Sequence, residues 1–105
     1  MKYRIADEVF ERIEEESLNQ AKDAVSKGMY EEAEAIGVLT LIKNGVMTQL
    51  NLMGSEIWEK LRTPKSIDEL TDMVSKDYGV PAEECCKDIE EFVTDLVEKG
   101  FLKYE

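Results

Sequence analysis

The stretch Gly37-Val38-Leu39-Thr40-Leu41-Ile42-Lys43-Asn44-Gly45-Val46-Met47-Thr48-Gln49-Leu50-Asn51-Leu52 decides the fold. Two β-prone runs flank one Asn-Gly pair, and both residues of that pair tolerate the positive φ that a two-residue type I′ turn demands. Such a turn sets Lys43 against Val46. It then pairs Ile42 with Met47, Leu41 with Thr48, Thr40 with Gln49, Leu39 with Leu50 and Val38 with Asn51. Alternation puts Leu39, Leu41, Leu50 and Leu52 on one face, which is expected to point inward.

A lone hairpin is marginal in water, so another strand is expected, and Val9-Phe10-Glu11-Arg12-Ile13 is the candidate. Between it and the hairpin, Leu18, Ala21 and Val25, then Tyr30 and Ala33, suit a helix interrupted at Gly28. Downstream the period becomes helical. Ile57, Trp58 and Leu61 suit a short helix over 54–61, ended by Thr63-Pro64, with Trp58 as a core anchor. Ser66-Ile67-Asp68-Glu69 is a capping box, followed by Ile67, Leu70, Val74 and Tyr78 at helical spacing until Gly79. A longer helix is expected from Pro81, as its first residue, to just before Gly100. Its core face is read as Cys85, Ile89, Phe92 and Leu96, with Cys86, Val93 and Val97 along the flank.

The chain has 105 residues, 43% of them hydrophobic, enough for one domain with one core. It carries 24 acidic and 13 basic side chains and no histidine, for a net charge of −11. The charge is uneven: −5 over residues 1–36, +1 over 37–63 and −7 over 64–105. No run is long and apolar enough for a membrane span, and acids appear before any signal-like apolar stretch, so a cytoplasmic protein with no membrane partner is expected. Cys85 and Cys86, adjacent and without histidine or a second cysteine pair, form neither a disulfide framework nor an ordinary zinc site. They read as reduced packing residues, and no metal or cofactor is expected. Without histidine, the usual Ser-His and Cys-His nucleophile pairs are absent, which argues against an enzyme.

The ordered pieces resemble a family. Leu50-Asn51-Leu52-Met53-Gly54-Ser55-Glu56-Ile57-Trp58 is similar to the LN-x-x-G-x-x-IW segment of the PqqD (pyrroloquinoline quinone biosynthesis protein D) family. The segments Ser66–Leu70, Tyr78–Pro81, Asp88–Phe92 and Leu96–Leu102 follow in that family's order and spacing. The resemblance covers about residues 37–103. It departs upstream, where residues 17–36 form an insertion, expected to be partly helical, in place of a short turn.

The resemblance implies an α+β, winged helix-turn-helix-like fold, with a three-stranded antiparallel sheet followed by three helices. It also implies a RiPP recognition element: a non-catalytic domain that binds the leader of a ribosomally made precursor peptide and presents it to a maturation enzyme, often a radical S-adenosylmethionine protein. In such domains the leader is added as a strand to the third strand of the sheet, against the last helix.

Strand addition needs a free edge with pockets for alternate side chains, and the order first, second, third strand leaves residues 46–52 as that edge. The expected peptide-binding residues are Met47, Thr48, Gln49 and Leu50 on the strand and Cys86, Ile89, Glu90, Val93 and Val97 on the last helix. Glu90 and neighbouring acids are expected to favour a basic leader residue. The same edge permits a homodimer. Two rival readings share the architecture. A DNA-binding winged helix needs Lys and Arg against phosphates, whereas this last helix carries Glu83, Glu84, Asp88, Glu90, Glu91, Asp95 and Glu98, so no nucleic-acid partner is expected. The other rival is a module that holds another protein subunit through residues 17–36.

Overall fold

The computed structural model describes residues 1–105. In chain order it contains β1 (Tyr3–Ile5), β2 (Phe10–Ile13), α1 (Glu15–Ser26), α2 (Tyr30–Glu34), β3 (Leu39–Lys43), β4 (Val46–Leu50), α3 (Leu52–Lys60), α4 (Ile67–Tyr78), α5 (Ala82–Glu98) and β5 (Leu102–Tyr104). The three-stranded antiparallel sheet and its helices fit the expected winged-helix-like α+β class. Two compact units are distinct: Glu8–Glu56, and Met1–Asp7 together with Ile57–Glu105.

In the Glu8–Glu56 unit the hairpin has the register its turn dictates, with Lys43 opposite Val46, Ile42 opposite Met47, Leu41 opposite Thr48, Thr40 opposite Gln49 and Leu39 opposite Leu50. Asn44 and Gly45 hold φ of 49° and 79°, the type I′ combination. β2 pairs antiparallel with β3, Phe10 opposite Ile42 and Ile13 opposite Leu39, giving the order β2-β3-β4.

Two local expectations need correction here. Leu52 is not a strand residue: β4 ends at Leu50, and Leu52 is half-buried at the start of α3. The cause is Asn51, whose Oδ1 accepts the Gly54 N–H at 2.8 Å and caps the helix two residues earlier than expected. The sheet is also not one-sided. Leu39 and Leu41 are buried as expected, but so are Val38 and Thr40 on the opposite face. The Thr40 hydroxyl is satisfied there by Gln49 Nε2, which donates to it at 3.2 Å. The insertion forms two helices, α1 and α2, on either side of Gly28, as expected. α1 ends in a Schellman motif, with Met29 N–H to Ala24 O (2.8 Å), Gly28 N–H to Val25 O (3.0 Å) and Gly28 at φ 74°.

In the other unit the capping box of α4 is formed in both directions. Glu69 N–H donates to Ser66 Oγ at 3.0 Å, Ser66 N–H donates to Glu69 Oε1 at 3.1 Å, and Gly79 closes the helix at φ 65°. The ordered amide contact from Ser66 holds the Glu69 carboxyl below its ordinary range, helped by Lys2. Leu70, Thr71 and Val74 are the buried residues of α4, while Tyr78, expected on its inner face, is exposed because it ends the helix. α5 runs Ala82–Glu98, with Pro81 as its N-cap rather than its first residue. Its end repeats the Schellman geometry: Phe101 N–H to Leu96 O (2.9 Å) and Gly100 N–H to Val97 O (3.0 Å), with Phe101 and Leu96 both buried.

Lys-Gly-Phe-Leu thus turns the chain into β5, which pairs with β1 as Tyr3 to Tyr104, Arg4 to Lys103 and Ile5 to Leu102. Neither of these strands was legible in the sequence. The buried residues of this unit include Ala6, Ile57, Trp58, Leu61, Leu70, Val74, Ile89, Val93, Leu96, Phe101 and Leu102. Trp58 is fully buried as expected, and its indole N–H has no hydrogen-bond partner.

Candidate functional site

β3 lies between β2 and β4, so β4 has one strand neighbour. Which of its backbone groups that neighbour uses follows from the ladder. Glu14 N–H donates to Val38 O at 2.9 Å while Val38 N–H donates to Leu50 O at 2.8 Å, so Val38 bonds to both neighbours, and beyond it the even-numbered residues of β3 face β2 and Leu39, Leu41 and Lys43 face β4. A two-residue turn makes its flanking pair a hydrogen-bonded one, in agreement. Val46, Thr48 and Leu50 therefore turn their backbone N–H and C=O toward β3. Met47 and Gln49 turn theirs away from the sheet, and no backbone hydrogen bond from another element reaches either residue.

The side chains divide by row. Met47 is 63% exposed, Val46 and Gln49 are exposed, Thr48 is half-buried and Leu50 is buried. No charged residue occurs from Val46 to Met53. Charge, proline and bulges are the usual means of keeping an edge from accepting another strand, and β4 has neither charge nor proline.

A cleft of about 280 Å³ opens at the end of β4, lined by Glu34, Ala35, Ile36, Gly37, Gln49 and Asn51. Asn51 holds it from one side, its Nδ2 donating to Glu34 O at 3.3 Å while its Oδ1 caps α3. Gly37 is required by close approach: a Cβ there would lie 2.6 Å from Gln49 Oε1 and 3.0 Å from Gln49 Cβ. Sequence reasoning missed this cleft. The signals for it, Asn51 before a helix and Gly37 beside a strand, are too common to be read in advance.

On α5 the buried stripe is Ile89, Val93 and Leu96. Val93, read from the sequence as flank, is the centre of the core face with 0% exposure, and Ile89 has 2%. The stripe's centre is displaced because Cys85 and Phe92 are only half-buried on one side and Cys86 and Val97 half-buried on the other. Cys85 faces α4, its Sγ 3.8 Å from Thr71 O. Glu90 is exposed on the Cys86 side, with Cys86 Sγ 4.0 Å from its Oε1. Glu90 also lies near β1. Burial first, then the partner Tyr104 and the negative charge of Glu90, push the Tyr3 hydroxyl above its ordinary pKa. Both cysteines are unbonded thiols. No three His, Cys, Asp or Glu side chains converge in a metal-holding group.

The strand-edge geometry and the helices define a small α+β protein with an uncharged strand at the free edge of its sheet. The sequence profile of the family Coenzyme PQQ synthesis protein D (PqqD) matches residues 29–102, most of the chain. The protein belongs to this family, whose members are small accessory proteins of PQQ synthesis. The match takes in α2 through α5, and β1, β2 and α1 lie outside it. No curated protein and no solved structure matches the chain. No helix is long and apolar enough to cross a membrane.

Proposed function

We propose that this protein is a non-catalytic chaperone that captures the leader of a ribosomally synthesised precursor peptide by strand addition to β4 and presents it to a maturation enzyme, a radical S-adenosylmethionine protein or another modifying enzyme, in the cytoplasm. The observation that carries this reading is the pair of outward-turned backbones at Met47 and Gln49 on an edge free of charge. Such an edge supplies affinity through main-chain hydrogen bonds, and selectivity through the side chains that flank alternate positions of the incoming strand.

On β4 the proposed contacts are Met47, Thr48, Gln49 and Leu50, with Leu50 contributing backbone because its side chain is buried. On α5, in the other unit, the family resemblance proposes Cys86, Ile89, Glu90, Val93 and Val97; Cys86, Glu90 and Val97 are accessible there, while Ile89 and Val93 are buried. The acidity of the chain favours a leader with some basic residues. A second copy satisfies the same edge, so homodimer formation through β4 competes with peptide.

An NMR titration with the synthetic leader encoded by a small open reading frame beside this gene tests the reading. Amides of residues 46–52 and 86–97 are expected to shift. Shifts confined to residues 17–36 would instead support docking of another subunit on the insertion, where Met29 and Tyr30 are exposed.

A further inference from the structure

Resting on β4 as the pairing edge, we infer that the cleft at its end is a selectivity subsite that accepts a guanidinium or ammonium side chain from the peptide residue paired with Gln49. A residue directly opposite another in a sheet projects from the same face. The partner of Gln49 therefore projects on the face that carries the Gln49 side chain, and that side chain lines the cleft. At about 280 Å³ the cleft lies below the ~300 Å³ lower bound of drug-sized sites, a size that suits one long side chain better than a cofactor.

The hydrogen-bonding inventory of the lining decides the chemistry. Asn51 spends one N–H of Nδ2 on Glu34 O and its Oδ1 on Gly54 N–H, and keeps its second N–H. Gln49 spends its amide nitrogen on the Thr40 hydroxyl, which leaves its Oε1 as an acceptor on the Gly37 side. The Glu34 carboxylate takes part in none of the chain's ion pairs, although Asp7, Glu14, Asp23, Glu59, Glu69, Asp72, Asp77 and Asp95 each meet a lysine or arginine. No lysine or arginine lines the cleft. What remains is one carboxylate, the Gln49 carbonyl and a spare amide N–H on each of Gln49 and Asn51, a lining whose only charge is negative and which is therefore complementary to a cationic donor. Glu34 ends α2 and so belongs to the insertion, with Gly37 following in the connection to β3, so the selectivity comes from the insertion and the affinity from the edge.

The test uses short fluorescent peptides of alternating Val and Thr with Ser-Gly tails, identical except for Arg, Gln or Glu at one central position. Binding to the full chain is read by anisotropy. The Arg peptide is expected to bind about three- to fivefold more tightly than the Gln peptide, the range of a solvent-accessible ion pair, and the Glu peptide more weakly than either. Glu34→Gln is expected to erase the Arg preference, while Glu83→Gln, which removes the same charge from an exposed position on α5, leaves it in place. Met47→Pro is expected to abolish binding of all three. Equal affinities that still depend on Met47 would overturn the cleft and leave the edge standing. An Arg preference that Glu83→Gln reduces as much as Glu34→Gln would assign it to net charge and also overturn the cleft. Binding insensitive to Met47→Pro, or no binding of any peptide, would overturn the edge itself.

Discussion

β2 and β4 are the two edges of one sheet, yet only one is built to accept a strand. β2 is exposed along its whole length, with Phe10 73% exposed. By the ladder that ties Glu14 to Val38, its outward backbone groups belong to Glu11 and Ile13. It carries Glu11 and Arg12 in its middle, and Arg12 forms a two-pronged contact with the Glu14 carboxylate at 2.9 and 3.3 Å. Two-fold antiparallel pairing of β2 with a second copy would set Glu11 on Glu11 or Arg12 on Arg12 in its central registers, both repulsive. On β4 the equivalent pairing centres on Thr48 and matches Met47 with Gln49, with no charge involved. Exposure alone does not make an edge adhesive: the difference lies in which side chains border the free backbone.

The largest expected effect comes from removing single outward donors. Met47→Pro deletes an N–H that β3 does not use, so the sheet should survive while peptide binding falls at least about tenfold, the equivalent of about 1.4 kcal/mol. Ile13→Pro removes an outward donor from β2 and should leave affinity within about twofold. Anisotropy titrations of the two variants side by side check this, and the reverse ranking would move the binding edge to β2.

Exchanging the edges' chemistry is the next test. Glu11→Thr with Arg12→Thr strips β2 of its charges, and in a Met47→Pro background that blocks pairing through β4, concentration-dependent association should appear in sedimentation velocity where charged β2 gives none.

The hairpin's turn underlies the whole register. Gly45→Ala meets no atom within 4 Å, so its cost is the left-handed backbone alone, about 1–2 kcal/mol. It should lower the denaturation midpoint with the slope unchanged.

The smallest effect is acid sensitivity. A hydrogen bond and charge from Lys103, with Arg4 beside it, hold the Asp7 carboxyl below its ordinary range, as the Ser66 amide does for Glu69. A lowered carboxylate pKa stabilises the folded state above the ordinary value and loses that contribution as pH falls through the lowered one. Amide exchange in β1 and β5 should therefore rise as pH drops below about 4. β4 has no titratable side chain, so its exchange, corrected for intrinsic rates, should not follow.

The hairpin register was legible from Lys43–Val46 to Leu39–Leu50 because Asn44-Gly45 admits one turn type, although the expected Val38–Asn51 pair gives way to a Val38 N–H bond to Leu50 O, and α4 was legible because Ser66, Glu69 and Gly79 mark both ends. β1 and β5 were not, since three-residue strands carry no period and their pairing joins opposite ends of the chain. The face of α5 was misjudged by one row because its apolar arc is wide enough to admit two centres, and only packing selects Val93. Of the candidate site, the strand and its free edge were readable. The burial of Ile89 and Val93 and the cleft at Gln49 depend on neighbours that no local pattern specifies.

The central claim is that β4 accepts a strand through Met47 and Gln49, and amide hydrogen exchange with and without the Arg-bearing Val/Thr peptide tests it most directly. In the free protein Met47 and Gln49 should exchange fast while Val46, Thr48 and Leu50 are protected by β3, and saturating peptide should protect Met47 and Gln49. Protection that appears instead at Glu11 and Ile13, with Met47 and Gln49 still exchanging freely, would contradict the account.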